Sequence, residues 1–132
     1  MDNERITRYW MLFAGISLIG AGLIGFVPGN PIASESTDAL FRVNAIHNLV
    51  HIVTGALALY IGWMLRGVNL AMWTIGFGVL YIAVAVLVYF DPTLFGLFAS
   101  APANFLDHLL HAALGIVSVA LGWMTRQRLL GT

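Results

Sequence analysis

All four histidines of the chain lie in two short polar stretches, and these hold the residues whose types and spacing could do chemistry. The first is Asn44, His47, Asn48 and His51; the second is Asn104, Asp107, His108 and His111. Within each stretch the intervals are three and four residues, which on a helix puts the side chains on one face. Three readings follow. In the plainest, Asn and His act as hydrogen-bonding glue between helices, with Asp107 paired to His47 or His108. In the second, His51, His111, His47 and His108 are candidate cofactor-binding residues. His51 and His111 could clamp a haem iron from two sides, or a single His could ligate a chlorin, since imidazole is a frequent axial ligand. In the third, the histidines hold a divalent ion: 47/51 and 108/111 each place two imidazoles on one helix face, and four His with one Asp suffice for zinc. No HExxH motif, activated nucleophile or close carboxylate pair supports hydrolysis. The leading reading is therefore non-catalytic, with no residue assigned as a metal ligand.

The rest of the chain says what must position these residues. Of 132 residues, 60% are hydrophobic and 9% charged, whereas a soluble domain carries roughly 25% charged residues. Six acids balance six arginines, and there is no lysine or cysteine, so disulfides and thiolate metal sites are excluded and nothing points to nucleic acid. Four apolar runs, 9–27, 43–65, 70–90 and 103–125, are long enough to cross a bilayer core that needs ~20 residues per helix. In hydrocarbon every backbone polar group must be satisfied locally, so these runs are expected to be helices. The mixed-charge start before the first run predicts a retained helix rather than a cleaved signal.

Arg5, Arg8, Arg66, Arg126 and Arg128 fall on one side of a four-span chain and Arg42 on the other, which predicts cytoplasmic termini. Trp10, Trp63, Trp73 and Trp123 are expected at that same interface. Helices 2 and 4 align at an offset of 60, pairing Asn44 with Asn104, His51 with His111, Gly55 with Gly115 and Trp63 with Trp123; helices 1 and 3 align more weakly at 63. The expected architecture is an all-α membrane protein in one domain over 1–132. Its four transmembrane helices form two parallel helical-hairpin repeats, about 9–65 and 70–125, related by an axis along the membrane normal.

The segment Val43-Asn44-Ala45-Ile46-His47-Asn48-Leu49-Val50-His51, followed by Gly55, resembles the signature of a family of small four-helix bacterial membrane proteins of unknown function. The resemblance covers most of the chain. It implies the four-helix fold and a bacterial membrane setting, and it implies no activity, substrate or catalytic residue.

Inward of the polar groups each stripe turns small, through Gly55, Ala58 and Gly62 on helix 2 and Gly115, Ser118 and Gly122 on helix 4. These are expected helix-packing positions, with helices 2 and 4 meeting along them; under the haem reading, Gly55 and Gly115 would instead leave space for a macrocycle. Tyr81 reads as ordinary satisfied core. The function expected from sequence is a non-catalytic accessory or structural subunit in the bacterial cytoplasmic membrane. Its partners would be lipid and either other membrane subunits or further copies of itself. A haem- or chlorin-binding subunit and a divalent-metal-dependent membrane protein are the alternatives.

Overall fold

The computed structural model describes residues 2–131; Met1 and Thr132, the ends of the domain expected over 1–132, lie outside the described residues. Those residues form four helices, α1 (Asn3–Ile24), α2 (Ala45–Met64), α3 (Gly67–Phe90) and α4 (Phe105–Leu130). Each is long and apolar enough to cross a membrane. The protein is an all-α, multi-pass membrane protein.

The helix ends follow local chemistry. Asn44 and Asn104 cap α2 and α4, their side chains accepting from the backbone N–H of His47 at 2.9 Å and of Asp107 at 3.1 Å. α4 runs past the apolar stretch to Leu130 and stops at Gly131, whose φ of 71° closes the helix in the left-handed region. α1 also extends beyond its apolar run, starting at Asn3 so that Arg5 and Arg8 lie on its first turns. At its other end α1 stops at Ile24, three residues short of the expected limit, because the chain tightens into turns at Phe26 and Val27 before Pro28. The Asn30 side chain then organises the connection, accepting from Ala33 N at 2.7 Å and donating to Val27 O at 2.7 Å. Two short parallel strands follow, β1 (Ala33–Ser34) and β2 (Phe41–Arg42), with Ala33 opposite Phe41.

α1 packs most closely on α2, and α3 on α4, as two hairpins; α1–α4 and α2–α3 contacts close the bundle. The small residues set the approach within each hairpin. A Cβ added at Gly55 would lie 2.9 Å from Gly15 O, and one added at Gly115 would lie 2.9 Å from Gly78 O. Gly62 meets Arg8 and Leu12 of α1 in the same way, and Gly122 meets Ala71 and Ile75 of α3. This corrects the expectation that helices 2 and 4 meet along their glycines. The glycine faces belong to the intra-hairpin seams, where backbones touch; α2 and α4 stand diagonally, with His51 and His111 approaching each other between them, ring centroids 6.1 Å apart.

Hydroxyls join the hairpins. Thr7 and Thr125 share a 2.9 Å hydrogen bond, and Trp10 Nε1 donates to Ser118 Oγ at 2.8 Å. Trp10 is thus tied into the bundle rather than to a wet interface, while Trp63, Trp73 and Trp123 are at least half exposed. Between α2 and α3, Thr54 Oγ1 and Tyr81 OH lie 2.7 Å apart. Met11, Leu18, Ile61, Leu70 and Phe77 fill the interior, and Phe13, Ile16, Val53 and Ile116 project outward, as lipid allows.

Candidate metal centre

His47 and His51 stand one turn apart on α2, and the capped first turn at Asn44 fixes where that turn begins. His111 comes from α4. One candidate ligand nitrogen from each of the three rings lies within 4.8 Å of the others, and all three residues are buried. The ring centroids of His47 lie 4.5 Å from those of His51 and 5.7 Å from those of His111. Both ring nitrogens of His47, both of His51, and Nδ1 of His111 are buried without a hydrogen-bond partner among the described residues. The Arg42 carbonyl lies beside the His47 ring without reaching hydrogen-bond geometry. A buried imidazole left unpaired is costly, and a cluster of them can serve as the donor set of a cation.

The other five residues of the polar stretches lie elsewhere, for reasons visible in the helix starts. Asp107 occupies the third helical position of α4, the position His47 holds in α2. There it completes a capping box, its Oδ2 accepting from Asn104 N at 2.8 Å and also from Arg42 N at 3.2 Å. Asp107 therefore makes no hydrogen bond to His47 or His108, against the expected pair. Asn44 and Asn104 act as caps, and their amides donate to the opposite hairpin's connection, to Leu97 O and Leu40 O, each at 2.9 Å. Asn48 turns toward α1, where a Cβ at Gly25 would clash with its amide. His108, at the equivalent place on α4, turns toward α3 and lines a lateral groove with Tyr89 and Ile82. The expected cluster of eight is a trio of histidines ringed by helix caps.

An ion suits the trio better than a macrocycle does. Tetrahedral coordination at 2.0–2.1 Å per nitrogen brings ligand atoms to roughly 3.3 Å from one another, within reach by rotation about the soft imidazole torsions. Haem clamped between His51 and His111 needs an open slot between their rings, and His47 crowds both of them. The glycines expected to leave room, Gly55 and Gly115, are occupied by α1 and α3.

Two residues unremarked as ligand neighbours in the sequence shape this site. Phe98 stacks on His47, with centroids 4.4 Å apart and planes 15° apart. Tyr81, read as plain core, lies 5.8 Å from His111, centroid to centroid. Phe98 sits in an irregular connection with no periodic signal, so nothing in its sequence context announces its role.

The sequence matches the family described as a domain of unknown function, DUF4383, over residues 8–124. The chain belongs to this family. The match runs from within α1 to within α4 of this DUF4383 member and brings no activity with it. No curated protein and no solved structure matches the chain.

Proposed function

We propose that this DUF4383 protein binds a divalent transition-metal ion within the membrane through His47, His51 and His111. The observation that supports this is the set of five buried, unpartnered ring nitrogens on three facing imidazoles. The accessory role expected from sequence placed an amide, a carboxylate or a water beside His51 and His111; no amide or carboxylate among the described residues reaches their buried, unpartnered nitrogens, and this supports a ligand over glue. Three neutral imidazoles without thiolate or carboxylate suit zinc or copper, and leave at least one coordination position for something else. In the same reading the protein lies in the bacterial cytoplasmic membrane with cytoplasmic termini. Five of six arginines cluster at the end opposite the trio, so the metal would sit in the outer part of the bundle.

The test is metal analysis of the purified full-length protein after exposure to zinc or copper and removal of loose ions. One ion per chain is expected, lost in His47→Ala, His51→Ala and His111→Ala, and retained in His108→Ala. Absence of stoichiometric metal, or metal indifferent to His51→Ala and His111→Ala, would falsify the reading.

A further inference from the structure

His51 and His111 form part of the wall between two cavities. One, of about 340 Å³, lies against α1 and α4 and includes Asp107. The other, of about 210 Å³, lies between α2, α3 and the α3–α4 connection, and it is lined by all three histidines. Its remaining wall is apolar, with Val50, Leu80, Val84, Leu94 and Leu97, except for the hydroxyls of Thr54 and Tyr81.

Those two hydroxyls have an assignable proton order. Thr54 Oγ1 lies 2.8 Å from Val50 O, a carbonyl that can only accept, so the Thr54 proton is committed there. With the Thr54 proton on Val50 O, Tyr81 is the donor in the 2.7 Å contact between the hydroxyls. The Tyr81 oxygen is left with lone pairs and no proton to give. A molecule seated between it and the metal must offer a lone pair to the ion and a proton to Tyr81. A hydroxyl group does both.

We propose, building on the metal reading above, that this cavity binds an apolar alcohol. Its oxygen occupies the open coordination position, its O–H donates to Tyr81, and its hydrocarbon body lies against Leu80, Val84 and Leu97. The volume accommodates several atoms beyond the metal-bound oxygen.

The experiment uses the full-length protein in detergent micelles loaded with Co²⁺, whose visible bands report its coordination. Ethanol, 1-butanol, 1-hexanol and hexane are titrated in turn. The bands shift with the alcohols, at lower concentration as the chain lengthens, and hexane leaves them unmoved. Tyr81→Phe keeps one cobalt per chain and weakens 1-hexanol about tenfold, the factor that corresponds to ~1.4 kcal/mol. Val84→Phe, which narrows the apolar end, weakens 1-hexanol more than ethanol, and so separates cavity binding from simple partition into the micelle. Bands unmoved by 1-hexanol, an equal effect of hexane, or native 1-hexanol binding in Tyr81→Phe overturns this inference while the bound cobalt leaves the metal reading standing. Failure to take up cobalt, zinc and copper alike overturns both.

Discussion

Phe98 lies nearly flat on the imidazole of His47, its centroid 4.4 Å away. The aromatic ring comes from the α3–α4 connection and covers the proposed metal site, where Asn44 also donates to Leu97 O at 2.9 Å. The connection reaches this position through left-handed backbone at Leu94, Phe95 and Gly96, with φ of 47°, 56° and 88°. The first two are strained for residues with side chains, so contacts around them must hold the conformation.

Phe98→Ala tests the closure. The side chain is 2% exposed, and deleting a buried Phe costs about 3–5 kcal/mol. A lower unfolding midpoint in detergent is expected together with faster release of metal to a chelator. Release at the native rate would mean that Phe98 does not seal the site.

Asp91 holds the strained turn, and its effect depends on pH. Its carboxylate accepts from Thr93 Oγ1 at 2.6 Å and from Phe95 N at 2.7 Å. The Thr93 hydroxyl, followed by the Phe95 amide, pulls the carboxyl below its ordinary value of 3.8. A depressed value means the stabilisation is complete above 3.8 and is lost only as pH falls through the lower folded value. The Thr93 and Phe95 amide resonances should therefore stay fixed from pH 7 to about pH 5 and move only in stronger acid. Movement of either amide near pH 5 or above would contradict this account.

Gly55→Leu and Gly115→Leu each disrupt a hairpin seam. Even a methyl at these sites meets atoms of the facing helix at 2.7–2.9 Å, and overpacking costs ~1–3 kcal/mol or more when backbone must move. Thermal unfolding in detergent should drop for both, while Gly20→Leu and Gly76→Leu, where a Cβ meets nothing within 4 Å, should be near native. Cross-linking of paired cysteines introduced into α1 and α2 should weaken in Gly55→Leu but persist in Gly115→Leu. Loss of both seams in either variant would show that the hairpins are not independently packed.

Topology is checked by reporter fusions. A fusion after Gly67 should report cytoplasm, and one placed within 34–38 should report the outside, as the arginine distribution requires. The reverse pattern would move the proposed metal site to the cytoplasmic half of the bundle.

The four spans were legible in the sequence because crossing hydrocarbon is a local requirement: enough consecutive apolar residues, each backbone group bonded within its own helix. The caps at Asn44 and Asn104 were equally local in origin, though the sequence reading assigned those side chains to the polar cluster. Helical periodicity placed all eight polar residues on stripes, yet periodicity fixes only directions within one helix and never which neighbour fills them. Tertiary structure made that choice. Backbone contact through Gly15 and Gly55, and through Gly78 and Gly115, spent the small faces inside the hairpins and set α2 and α4 on a diagonal. Across that spacing the side chains of His47, His51 and His111 meet. Asp107 was drawn into its own helix cap, and His108, three positions before His111 and so about 60° aside from it on the helix, turns toward α3.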